Sequence, residues 1–378
     1  MLPQQCSGIN ALTGLPVQLS FAETITGVAA GGAQDLYVAP GFIDLQVNGF
    51  AGVDYNNPRT SYEEIGKSLR AQFATGVTRI YPTVITGARG AMQACLRNLA
   101  TARETIPDGH AIAGFHLEGP HISLEDGPRG AHPRVHVRPP HVAEFNRLQA
   151  AARGMIRIIT LSPEWPEATH YIERITREGV VASIGHTKAS GAQIAAAVSA
   201  GATLSTHLGN AAHPMLRRHP NYIWEQLAED RLMASFIADG IHVDGAFLKT
   251  AIRAKTAERS FLVTDAATPA GAPAGRYMLG DQPVDLTADG RVVLAGSDRL
   301  AGSALRMHHA VGNVMRLAGV SLADAVRMAT VNPGRGGKVA GRETDFVVGA
   351  TADITQFRLT PTNEIEIVAT WLGGEKVY

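Results

Sequence analysis

The stretch GFHLEGPHIS, residues 114–123, ends an apolar run in His116, Glu118 and His121. Similar side chains end other apolar runs: His186 in SIGHT, His207 in STHLGN, and Asp265 in LVTDA. Asp239 and His242 follow in ADGIHVD, and Asp44, Gln46 and Asn48 close FIDLQVN. A lone strand-end histidine is usually structural. A Glu with two His is a different matter, because it forms an N/O ligand set suited to Zn²⁺ or Fe²⁺. Glu118, His186 and His207 are the candidate ligands, and three protein ligands leave a position for water. Asp265 then suits a general base that takes a proton from that water and returns it to a leaving amine. Read alone, Asp265 serves equally as a helix N-cap before AATPAG. Gln46 and Asn48 are neutral amides and poor ligands. The expectation is one divalent metal per subunit, Zn²⁺ or Fe²⁺, with Gln46 and Asn48 shaping a vacant second site.

The elements that must position these residues alternate. Strand-like runs fall at 42–48, 77–85, 111–119, 156–163, 180–187, 202–208, 232–239 and 260–266. Most gaps carry helical patterns, such as SYEEIGKSLRAQFATG and SGAQIAAAVSAG, and SLADAVRMATVNPG adds a helix after the last run. Eight strands alternating with helices predict a (β/α)₈ TIM-like barrel, which gathers all the strand ends at one rim. Near-continuous apolar strands fit a parallel sheet covered on both faces. A doubly wound open sheet is the alternative, since periodicity does not report closure. Residues 1–38 and 336–378 alternate like half-exposed strands. They are expected to form a small β-sandwich domain from both termini, beside a barrel at 39–335.

Bulk composition excludes several classes. The 378 residues are 45% hydrophobic and 18% charged, enough for a large core. Lys+Arg and Asp+Glu are 34 each, so no bulk charge favours nucleic acid or an anionic membrane. Cys6 and Cys95 make no disulfide framework. MLPQQCSGINALTGL has neither a basic start nor a signal-peptide core, and no run reaches membrane-span length. A cytoplasmic setting is expected.

Taken in order, APGFIDLQVNGFAGVDYN, GFHLEGPHIS, GAHP, SIGHT, STHLGNAAHPM, IADGIHVD, LVTDAATPAG and LAGSAL resemble the amidohydrolase superfamily. More closely, they resemble its N-acetylglucosamine-6-phosphate deacetylases, over roughly residues 38–335. The resemblance implies a homodimer acting on an amino sugar phosphate. It implies Glu118, His186 and His207 as metal ligands, Asp265 as acid/base, and His132 of GAHP near the substrate carbonyl. It also implies Asn210 and Ala211 as substrate contacts, with His242 and Arg218 on the phosphate. In the family this arginine often reaches the neighbouring subunit's site. An Arg fork and a His are sensible donors to a phosphate, with Arg217 an immediate rival to Arg218.

The chain also departs from the pattern. It reads GNAAHPM where the family has a bulky aromatic and then NAM, and NYIWEQLAED replaces a Gly-rich segment. Gly209 is expected to open space there, and Tyr222 and Trp224 to add core bulk. N-acetylgalactosamine-6-phosphate or another N-acylated amine therefore stays open as substrate. So do a cyclic-amide hydrolase or deaminase, and a non-catalytic sugar-phosphate binding protein.

Overall fold

The computed structural model describes residues 2–32 and 35–378; residues 1, 33 and 34, within the expected N-terminal β segment, lie outside them. Eight strands pair in chain order into one parallel sheet. They are Phe42–Val47, Val77–Ile85, Phe115–Glu118, Ile156–Leu161, Val181–Ile184, Ala202–Ser205, Met233–Phe236 and Ser260–Leu262, here the first to eighth barrel strands. The segment after the eighth strand returns to the first. Val47 and Ala266 form a parallel bridge, Asp265 N donates to Gln46 O at 3.0 Å, and Asn48 N donates to Ala266 O at 2.7 Å. The buried carboxylate of Asp44 clasps the same seam, accepting from Thr264 Oγ1 at 2.5 Å. Closure decides for the barrel over the open sheet.

Helices cover the outside. Tyr62–Phe73 starts at a capping box in which Ser61 and Glu64 bond each other's backbone N–H, and Ser190 with Gln193 caps Gly191–Ser199 in the same way. Apolar residues of these helices pack on the strands in one continuous core. Inside the barrel, beneath the rim, lies a polar chain: His116 Nε2 to Thr160 Oγ1 at 2.7 Å, and Thr160 to Thr206 at 2.6 Å. Burial pushes His116 down to about 4, so this ring is a neutral strut.

Strands from both termini form one seven-stranded sheet in which Tyr37–Pro40 lies between Gln4–Asn10 and Ile354–Leu359. The halves of this sheet share a core of their own, where Phe21 meets the edge of Trp371 at 5.7 Å. An ion-pair cluster anchors the sheet under the barrel. Asp353 accepts from Arg79 Nε at 2.5 Å and Arg342 Nη1 at 2.6 Å, and it is 2% exposed. A three-stranded antiparallel sheet, Gly275–Leu279, Gln282–Leu286 and Val292–Leu294, follows the eighth barrel strand. The alternation pattern does not reveal it. No described helix is long and apolar enough to cross a membrane.

Candidate metal and catalytic centre

Most barrel strands end sooner than the apolar runs do, and the chemistry lies just past their ends. His186, His207 and Asp265 all take left-handed backbone, with φ of 51°, 29° and 51°. Such a conformation costs roughly 1–3 kcal/mol for a residue with a side chain. The turn breaks the strand ladder and aims each side chain across the barrel mouth. Glu118 needs no turn, being the last residue of the third strand.

The three expected ligands meet. Glu118 Oε1 lies 3.0 Å from both His186 Nε2 and His207 Nε2, and the two ring nitrogens are 3.2 Å apart. All three residues are buried. His186 Nδ1 sits 2.9 Å from Pro128 O, a carbonyl that can only accept, so Nδ1 carries the proton. Nε2 is thereby turned toward the Glu118 carboxylate and His207 Nε2. One carboxylate oxygen and two ring nitrogens thus converge within 4.8 Å of one another, the spacing of atoms that could share one cation. The donor set therefore fits a divalent metal, and the second-ring contact to Pro128 is the kind that orients a ligating histidine.

Gln46 and Asn48 do more than leave a site vacant. Gln46 Nε2 donates to Glu118 Oε1 at 2.9 Å and to Asp265 Oδ1 at 3.2 Å, and Asn48 Nδ2 donates to Asp265 Oδ1 at 2.7 Å. The amides hold both carboxylates in place from the first strand. Burial, with the nearby Glu118 charge adding, pushes Asp265 up to about 7. His132 stands edge-on to His186 with ring centroids 4.5 Å apart. Burial, reinforced by His186, pushes it down to about 3. It is a neutral ring, and its Nδ1 is buried without a partner.

Asn48, Glu118, His132, His186, His207 and Asp265 line a cleft enclosing about 530 Å³ including its mouth, within the range of small-molecule sites. Asn210, Ala211 and His242 line it too. Asp239 Oδ2 accepts a hydrogen bond from His242 Nδ1 at 2.6 Å, which leaves Nε2 for a ligand. Arg218 is not brought in. It sits on the exposed loop 214–220, beside Met215, which is 89% exposed. His116 is the strut described above, and His121 is buried against Tyr171, away from the cleft. The far wall was missed from sequence: Leu279 and Gln282, from the three-stranded sheet, line the cleft. The Asp-Gly of TADGR, where two β-rich runs meet, is the signal that could have found that sheet.

Two expectations about the departing segment need correction. Gly209 opens no space: a Cβ there would meet Phe247 Cε1 at 2.3 Å. An aromatic from the first turn of Gly245–Lys255 occupies that volume instead. Tyr222 is buried and its hydroxyl accepts from His213 N at 2.8 Å, but Trp224 is 49% exposed and is not core.

A closed parallel barrel with an open N/O cluster and a carboxylate on its carboxyl rim is the architecture of a metal-dependent hydrolase. The sequence model of the Amidohydrolase family matches residues 37–377. The chain is 34% identical to N-acetylglucosamine-6-phosphate deacetylase of Bos taurus over 354 residues, covering 90% of this chain and 83% of that protein. It is 33% identical to N-acetylgalactosamine-6-phosphate deacetylase of Escherichia coli O157:H7 over 338 residues, covering 89% and 87%. The fold superposes on a mutant N-acetyl-D-glucosamine-6-phosphate deacetylase of Mycobacterium smegmatis, solved with N-acetyl-D-glucosamine-6-phosphate. That match has a TM-score of 0.91 and 29% identity over 100% of both chains. The chain belongs to the amidohydrolase family and, within it, to the N-acetylglucosamine-6-phosphate deacetylases.

Proposed function

We propose that this protein hydrolyses the N-acetyl group of N-acetylglucosamine-6-phosphate, releasing acetate and glucosamine-6-phosphate. The observation that carries this reading is the Glu118–His186–His207 cluster beside Asp265 in one small-molecule cleft, in a chain of this family. Glu118, His186 and His207 would hold one Zn²⁺ or Fe²⁺, which supplies Lewis acidity and lowers the pKa of a nearby water. The amide N–H groups of Gln46 and Asn48 occupy the ground a second ion would need.

Asp265 takes the proton from the attacking water and passes it to the amine nitrogen as the C–N bond breaks. Its raised pKa suits a group that must both accept and return a proton. His132, neutral, donates its ring N–H to the amide oxygen as negative charge gathers there. Asn210 and Ala211 hold the sugar, and His242 Nε2 binds the phosphate. Arg218 completes phosphate binding in the partner's cleft of a homodimer, which accounts for a charged side chain on an exposed loop. We also propose the division into a terminal domain of residues 1–38 and 336–378 and a barrel of 39–335. A reducing, cytoplasmic compartment suits the free Cys6 and Cys95.

The galactosamine epimer is the second reading. It is favoured by the comparable identity to its deacetylase. Acetate release from metal-loaded protein tests both, with N-acetylglucosamine-6-phosphate, its galactosamine epimer and the unphosphorylated sugars compared. Preference for the phosphorylated gluco form is the expected result. Preference for the galacto form moves the substrate to the second reading, and no release from any of the sugars sinks the deacetylase assignment.

A further inference from the structure

Beyond one wall of the catalytic cleft lies a larger one, of about 1340 Å³ including its mouth. Ile85, Leu279 and Gln282 line both. Part of its lining is apolar, with Val84, Ala91, Met92, Cys95 and Met278, and part is polar, with Asn56, Asn57, Thr86 and His136. Arg59 and Asp281, both exposed, stand at its lining with opposite charges. An acetyl group has no use for such a space.

Its position says which part of a substrate would reach it. Ile85 is the registered neighbour of Glu118 across the second and third barrel strands. The chamber therefore opens beside a residue of the cleavage centre. His242, the phosphate contact, follows the seventh strand on another side of the cleft. With a sugar phosphate held at His242 and its amide at Glu118, Ile85 and Leu279 would form the wall that its acyl group faces.

Building on the deacetylase reading, we propose that this chamber receives the hydrocarbon chain of N-acyl groups longer than acetyl, making the protein an N-acylhexosamine-6-phosphate hydrolase of broad acyl range. The chemistry is unchanged: water oxygen bonds to the acyl carbon, the C–N bond breaks, the amine keeps the proton, and a carboxylate longer than acetate leaves. Each methylene buried in the chamber is worth up to about fourfold in kcat/KM, the equivalent of about 0.8 kcal/mol.

The test uses metal-loaded protein with N-acetyl-, N-butanoyl- and N-hexanoyl-glucosamine-6-phosphate, reading glucosamine-6-phosphate as the common product. The hexanoyl compound is expected to match or exceed the acetyl compound in kcat/KM. Ala91→Trp, which fills the chamber away from the cleavage centre, is expected to cut hexanoyl turnover about tenfold or more while sparing acetyl. Met278→Trp, at a half-exposed position, gives the same readout should the first variant fold poorly. Cleavage of acetyl with hexanoyl more than about tenfold slower overturns the chamber alone, as does equal slowing of both chains by the tryptophans. Release of product from none of the three overturns the deacetylase reading as well.

Discussion

The two ends of the barrel each bury a cluster of charge, and they are solved in opposite ways. At the bottom, one carboxylate, Asp353, meets two guanidinium groups, Arg79 and Arg342. Gly373 N also donates to it, and Arg342 Nη2 goes on to Gly41 O. Burial opposes the charge, but Arg342 and Arg79 hold Asp353 below the ordinary carboxylate range. At the top, two carboxylates, Glu118 and Asp265, meet the Gln46 and Asn48 amides and the His186 and His207 rings, with no arginine or lysine among these residues, and Asp265 is pushed up to about 7. The bottom cluster is complete and ties the terminal sheet to the barrel. The top cluster has no arginine to answer its carboxylates, and its Glu118, His186 and His207 donors could hold a metal ion.

Chelation should break the contrast most sharply. It is expected to abolish turnover and leave the fold intact by circular dichroism, with Zn²⁺ or Fe²⁺ restoring activity. Loss of the fold on chelation would mean that the top cluster is structural, like the bottom one. Asp265→Asn is next, expected to cost about 10²–10⁴ in kcat with metal content near normal by elemental analysis. Retention of more than a few per cent of turnover would remove it from the acid/base role. Asp353→Asn should leave catalytic chemistry alone but lower stability by about 3 kcal/mol, because two arginines lose their buried counter-charge; denaturant unfolding reads this.

The pH response sharpens the same point. The folded pKa of Asp353 lies below its unfolded value of about 3.9, so its stabilisation is complete above that pH. It is lost as pH falls through the folded value, and Asp353→Asn should lack this acid-side loss. The smallest effect is expected for Gln46→Ala, about 10-fold weaker metal binding from a carboxylate no longer held in place. An unchanged metal affinity would confine Gln46 to shaping the cleft.

The clustering of the candidate residues was readable because the open rim of a barrel gathers its strand ends, and strand ends follow from apolar runs stopping at polar residues. Glu118, His186, His207 and Asp265 each stop such a run, so their types and order carried the site. Arg218 was legible only as a motif, and within one chain it stays outside the cleft. Gly209 misled, because a glycine shows that its own side chain is missing and not which neighbour fills the room; Phe247, 38 positions on, fills it. The three-stranded sheet escaped because its short, half-exposed strands lack a strong pattern.

Local sequence thus determined the alternating elements, the helix caps and the chemical identity of the site, all properties of side-chain type and short-range spacing. Tertiary structure alone decided the rest: closure at Val47 and Ala266, the left-handed turns that aim His186, His207 and Asp265, the proton on His186 set by Pro128, and the chamber beyond Ile85. Each of these depends on groups far apart in the chain meeting within a few ångströms, and no local pattern encodes such a meeting.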